Sequence, residues 1–234
     1  MNRLVCILIG YLLGLIQTGY IVGKIKGIDI RNYGSKNAGT TNVLRTMGTK
    51  YAIIVFAGDA LKCIVAVFVV SALFANNDAG FLMLLKLYTV AGVILGHNYP
   101  FYMGFKGGKG IAATAGLIIS YIFQFKYGWI PVVVAFFVFF GIFFSTHYVS
   151  VGSIMLYVTL LIEIIIFGEN GLLNISTLTQ RNYLTEYYIL MGCLMLMAFW
   201  RHRVNIVRLI NGEERKTYFG DKPEIDINNR QKGE

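Results

Sequence analysis

The 234 residues are 56% hydrophobic and only 14% charged, with a mean hydropathy of +0.61, whereas soluble domains carry roughly a quarter charged residues. That composition excludes an ordinary water-soluble globular class. The net charge of +9 is no nucleic-acid footprint either, because in a membrane protein lysine and arginine also set orientation.

A spanning helix needs about 20 apolar residues, and seven runs qualify as candidates. The first, Leu4–Val22, follows Arg3 and ends in Gly23-Lys24 without a small-residue cleavage site, so it reads as a retained span and not a signal peptide. The others are Tyr51–Ala75, Phe81–Gly96, Ile111–Phe125, Trp129–Phe144, Ile154–Gly168 and Tyr187–Trp200. The third, fourth and seventh are short, which leaves five spans as the alternative count. The expected fold is an all-α polytopic membrane protein of about seven transmembrane helices. Both counts are odd, so the termini lie on opposite sides. Residues 1–220 read as one integral membrane domain and 221–234 as a flexible cytoplasmic tail.

Seven crossings put residues 24–50, 97–110, 145–153 and everything from Arg201 on one side. That side collects 16 of the 21 lysines and arginines, and the other side only Arg3, Lys126 and Arg181. By the positive-inside rule the N-terminus is outside and the C-terminus cytoplasmic. Within the spans only Asp59, Lys62, Lys86 and Glu163 are charged. Asp59 and Lys62 are three apart on one helix face, where they can pair; both a structural pair and a role near a site remain open. Lys86 can snorkel.

Cys6, Cys63 and Cys193 sit singly in apolar runs with no Cys or His at zinc spacing, and they read as packing residues. No HExxH, Asp-rich cluster or GxSxG elbow is present, so neither metal nor cofactor is expected.

Four polar segments gather on the inside face. Residues 29–48 crowd Ser35, Asn37, Thr40, Thr41 and Asn42 around Gly34 and Gly39, flanked by Arg31 and Arg45. Such a set can converge on an oxyanion, with arginine forking onto phosphate, or can simply cap a helix. Residues 96–116 set Gly104, Gly107, Gly108 and Gly110 around Lys106 and Lys109 before an apolar helix, an arrangement that lets backbone and helix dipole meet an anion. Met103 and Gly110 rule out a Walker A loop. Residues 144–153 (FSTHYVSVGS) carry hydroxyls, Ser150 among them, suited equally to capping or to a ligand. In 200–214, His202 and Asn205 share a face if the last helix continues into the cytosol. All three histidines, His97, His147 and His202, fall on this side.

These segments resemble the bacterial acyl-phosphate-dependent glycerol-3-phosphate acyltransferases. The likeness runs from GYLLGLIQTGYIVGKIKGIDIR to GEERK at 212–216, nearly the whole chain. SKNAGTTN (35–42) with VLRTMG, GHNYPFYMGFKGGKG (96–110), THYVS and HRVNI carry it. Lys36 stands where the family usually has glycine, Thr40 where alanine is usual and His147 where arginine is common. The family glutamate aligns best with Glu214, with the adjacent Glu213 as the alternative.

The resemblance implies transfer of a fatty acyl group from acyl phosphate to the sn-1 hydroxyl of glycerol 3-phosphate. The products would be lysophosphatidic acid and phosphate, the first acylation of phospholipid synthesis, at the cytoplasmic face of a bacterial plasma membrane. The implied partners are glycerol 3-phosphate, acyl phosphate supplied by a separate enzyme, and membrane lipid, with no nucleic acid. The expected catalytic set is Ser35, Arg45, Lys109, His202 and Asn205. Asn37, Thr41, Asn42, His97, Lys106, Gly107, Gly108, Gly110 and Ser150 are expected to bind substrate. Ser35, Arg45 and Asn205 would take glycerol 3-phosphate, while Lys109, the Gly107–Gly108 backbone and His202 would hold acyl phosphate. A transporter of phosphorylated anions is the alternative, but it calls for polar breaks near the bilayer midplane, whereas these motifs cluster at one surface.

Overall fold

The computed structural model describes residues 1–173, 181–220 and 223–225. Among them it is all-helical: α1 (Asn2–Gly14), α2 (Thr18–Ile25), α3 (Thr40–Met47), α4 (Thr49–Leu73), α5 (Ala79–Asn98), α6 (Ile111–Ser120), α7 (Trp129–Thr146), α8 (Val149–Glu169) and α9 (Arg181–Ile210). Each of the seven apolar runs is helical. Six helical stretches are long and apolar enough to cross a membrane, and the run from Ile111 forms a shorter helix ending in a 3₁₀ turn at Phe123. That helix can be short because protein surrounds it: Ala112, Ala113, Thr114, Gly116, Leu117, Ile118 and Ser120 are all buried.

The first span differs from a continuous helix. It breaks after Gly14 and resumes at Thr18, exposing the carbonyls of Gly14, Leu15 and Ile16. In a low-dielectric surrounding each needs a donor, and each has one. Gln17 Nε2 and Lys62 Nζ both reach the Gly14 oxygen at 3.3 Å, the Tyr102 hydroxyl donates to Leu15 at 2.6 Å, and Lys62 Nζ donates to Ile16 at 2.6 Å.

The most extensive helix pair is α1 with α5, and glycine explains it. A Cβ at Gly10 or Gly14 would strike the carbonyls of Thr89 or Val93, and one at Gly92 or Gly96 those of Ile7 or Tyr11. Each helix thus presents a small-xxx-small pair that brings the two backbones into contact. At one end, Arg3 pairs with Glu186 of α9 (2.5 and 2.7 Å), which also accepts from Tyr88 of α5 at 2.6 Å. α9 runs ten residues beyond the expected end at Trp200, so His202 and Asn205 are helical. α7 turns most of its surface outward, with only Pro131 and Phe143 buried.

Of the expected flexible tail, all but residues 223–225 lie outside the described residues. Those three are held: Glu224 and Ile225 donate their N–H groups to the carbonyls of Arg45 and Thr46 (3.0 and 3.1 Å), and Ile225 is buried beside Ile28, Ile30, Val43 and Met47. With residues 213–220 they form a strap that returns from α9 to α3.

Candidate active site

One cavity of about 840 Å³ gathers the predicted segments. Ser35, Asn37, Thr41, Asn42, Arg45, His97, Lys109, Gly110, Ser150, His202 and Asn205 all line it. Apolar side chains line the same cavity, Ile53 and Phe56 of α4 and Phe139, Phe140 and Phe143 of α7.

The wall before α3 is organised by Asn42. Its Nδ2 donates to the carbonyls of Ile30 and Tyr33 (3.2 and 3.1 Å), and its Oδ1 accepts from Ser35 N–H and Ser35 Oγ (2.7 and 3.1 Å). Asn42 therefore shapes the loop that presents Ser35. Arg31 faces away, forked onto Asp29 at 2.9 and 2.7 Å and lying over the Tyr20 ring; this pairing holds the Asp29 carboxyl below its usual range. Lys36 has a φ of +58°, the left-handed region that glycine enters without steric cost. Lys36→Gly should raise stability by about 1 kcal/mol, read as a higher melting temperature in detergent; a lower one would contradict this strain.

The wall before α6 requires a correction. Lys106, Gly107 and Gly108 do not line the cavity, and the N–H groups of Gly107 and Gly108 donate to the carbonyls of Asn98 and His97 (3.2 and 3.0 Å). They are spent closing the end of α5 and are not free for an anion. Their carbonyls accept from Arg201 Nη2 (3.0 and 2.6 Å), and Gly107 also accepts from Asn37 Nδ2 at 3.3 Å. What reaches the cavity is the start of α6 itself, Lys109 to Ala112, with Gly110 as cap at φ +85°. The first-turn N–H groups there have no intrahelical acceptor.

Lys109 is anchored by a relay. Its ammonium donates to Asn205 Oδ1, Asn205 Nδ2 donates to Glu214 Oε1 at 2.7 Å, and Ser150 Oγ donates to the same oxygen at 3.0 Å. Glu214 is buried within this relay while Glu213 is exposed. Burial pushes the Lys109 ammonium down to about 8; Glu214 opposes the shift, and Arg201, Arg45 and Arg208 add to it.

The sequence reading missed Arg201, Thr217 and the strap. Arg45 Nε and Nη2 both donate to Thr217 Oγ1, and Nη2 also donates to the Arg215 carbonyl at 2.9 Å. Thr217 in turn donates its N–H to the His147 carbonyl at 3.0 Å. Arg215 pairs with Glu224 at 2.6 Å, closing the strap on itself. Phe219 then packs edge-on to Phe143, and both line the cavity. Burial, followed by nearby Arg215, lowers the Arg45 guanidinium, yet an arginine stays charged.

The family described as glycerol-3-phosphate acyltransferase matches residues 4–212. A glycerol-3-phosphate acyltransferase of Halalkalibacterium halodurans is 39% identical over 210 residues, covering 88% of this chain and 91% of that one. The one from Aquifex aeolicus is 34% identical over 216 residues, covering 92% and 100%. Crystal structures of PlsY, an integral membrane glycerol 3-phosphate acyltransferase, superpose with TM-scores of 0.75 (glycerol 3-phosphate form, 30% identical) and 0.74 (lysophosphatidic acid form, 29% identical), each covering 93% of this chain and 96% of that one. With the motifs assembled in one cavity of a multi-pass helical bundle, the chain belongs to the glycerol-3-phosphate acyltransferase family and is an integral membrane acyltransferase.

Proposed function

We propose that the protein transfers a fatty acyl group from acyl phosphate to the sn-1 hydroxyl of glycerol 3-phosphate, working at the cytoplasmic face of a bacterial plasma membrane. The observation that carries this reading is the mixed lining of the one cavity, where Arg45, Lys109 and Arg201 share the wall with Phe56 of α4 and Phe139, Phe140 and Phe143 of α7. A phosphate ester and a lipid chain need those two environments side by side. The sidedness is supported by the collection of basic residues on the face that bears the site.

In this reading Ser35 and Arg45 hold glycerol 3-phosphate, and Lys109 with the start of α6 holds the acyl phosphate. Asn205 fixes the Lys109 ammonium through its amide oxygen. The glycerol oxygen attacks the acyl carbon and forms the new ester bond. The acyl–oxygen bond to phosphate then breaks, phosphate carries away the electron pair, and the hydroxyl proton passes to His202 Nε2. Holding both substrates in line replaces a bimolecular encounter by an intramolecular one. Cationic donors at the carbonyl and phosphate oxygens stabilise the charge that develops there. Membrane lipid receives the product, and a separate enzyme must supply the acyl phosphate.

The deciding experiment gives purified enzyme labelled glycerol 3-phosphate with acyl phosphate, acyl-CoA or acyl carrier protein, then locates the acyl group on the product. 1-Acyl-glycerol 3-phosphate from acyl phosphate alone is the expected result; turnover with either thioester only would sink the donor assignment.

The strap gives a second test. Thr217→Val removes the hydroxyl that orients the Arg45 fork, and a hydrogen bond to a charged group is worth about 1.5 kcal/mol or more. KM for glycerol 3-phosphate should rise about tenfold with kcat little changed, measured by steady-state assay. An unaltered KM would show that Arg45 is oriented without it.

A further inference from the structure

The two histidines lining the cavity have their ring nitrogens engaged in opposite senses. His202 Nδ1 lies 2.9 Å from the Ala198 carbonyl. A carbonyl only accepts, so in the neutral ring the hydrogen sits on Nδ1 and Nε2 keeps its lone pair. His97 Nδ1 lies 2.8 Å from Lys62 Nζ. An ammonium only donates, so this Nδ1 must be the acceptor and the hydrogen sits on Nε2.

Lys62 has been placed for this task by the rest of its surroundings. Its three protons are shared among Ile16 O at 2.6 Å, His97 Nδ1 at 2.8 Å, Asp59 Oδ1 at 2.9 Å and the more distant Gly14 O at 3.3 Å, and the same Asp59 oxygen lies 3.7 Å from His97 Nδ1. Asp59 also accepts from Thr18 Oγ1 at 3.0 Å, which leaves its charge committed to the Lys62 ammonium. Lys62, Asp59 and His97 are 5%, 1% and 2% exposed. The Nε2 edge of His97 faces Gly108, where a Cβ would overlap that nitrogen. Among the described residues Nε2 has no hydrogen-bond partner, although the ring lines the cavity.

We propose that Lys62 is a positioning residue for acyl transfer: it holds His97 as the Nε2–H tautomer, a neutral donor at the wall of the cavity that His202 also lines. The inference rests on the acyl-phosphate reading above. It gives the buried Lys62–Asp59 pair of α4 a second task beside the structural one, which is donation to the Ile16 carbonyl at the α1 break.

The test uses full-length enzyme carrying ¹⁵N-labelled histidine, which has only three residues to resolve. Lys62→Met alone strands the Asp59 carboxylate, so it is paired with a double variant, Asp59→Asn with Lys62→Met, that buries no charge. Wild type should show His97 with an acceptor Nδ1 and a hydrogen on Nε2. In the double variant His97 should populate both tautomers and kcat should fall about 10²-fold, with KM for glycerol 3-phosphate unchanged. A hydrogen on Nδ1 in wild type overturns the proposal, as does an altered tautomer with normal kcat. A double variant whose His97 keeps the hydrogen on Nε2 while kcat falls also overturns it, by marking Lys62 as framework only. Wild-type enzyme that uses a donor other than acyl phosphate removes the donor reading alone and leaves the tautomer result to judge Lys62.

Discussion

Lys109→Met should lower kcat by about 10²- to 10³-fold, the usual consequence of removing one preorganised donor from a developing oxyanion. Methionine keeps the length of the side chain and removes the charge, so the α6 start should persist while the ammonium is lost. The same group predicts a pH dependence with a definite sign. Its proton leaves at about 8, so activity that needs the ammonium is full below that value and declines as pH rises through it. Lys109→Arg, protonated throughout, should flatten this alkaline limb even if its maximal rate is reduced. Rate–pH profiles of the three proteins check both statements. Near-normal turnover in Lys109→Met would remove Lys109 from the mechanism, and an alkaline limb that survives in Lys109→Arg would assign the titration to another group.

Gly92→Leu should abolish the folded protein outright. A Cβ there meets the Ile7 carbonyl and the Tyr11 nitrogen, both backbone atoms that no rotamer change can move. Ordinary overpacking costs about 1–3 kcal/mol; prying two helices apart also loses the carbonyl partners of the α1 break and should exceed that. Gly141→Leu is the control, because its Cβ would meet nothing. Size-exclusion profiles in detergent separate the two: a monodisperse Gly92→Leu peak with wild-type melting would refute the packing argument.

The helices were legible because lipid-crossing segments announce themselves as long apolar runs. The break at Leu15–Gln17 was not, since those residues stay mostly apolar and the donors that make it tolerable come from Lys62, Tyr102 and Gln17 across the fold. The glycine pairs of α1 and α5 could be counted in the sequence, but a spacing does not name its partner helix. At the site, Ser35, Arg45, Lys109, His202 and Asn205 line one cavity, a grouping expected from the family resemblance, since residue types alone left helix capping open for the segment of Ser35. The assignment of Gly107 and Gly108 as anion donors did not survive, because where a backbone N–H points depends on what the chain does ten residues earlier. Arg201 was read as an orientation charge, and nothing local to Thr217 foretells that its hydroxyl meets Arg45.

That last contact has a bearing on biosynthesis. Arg215 and Thr217 lie 170 and 172 residues beyond Arg45, which at about 5–20 residues per second separates their emergence from the ribosome by roughly ten to thirty seconds. During that interval the bundle can insert helix by helix while the guanidinium lacks its anchors. Arg45 gains these anchors only once residues 215–217 have been made, after the helices that surround it have emerged. A premature stop after Gly212 would leave a protein that inserts fully and binds its headgroup substrate poorly.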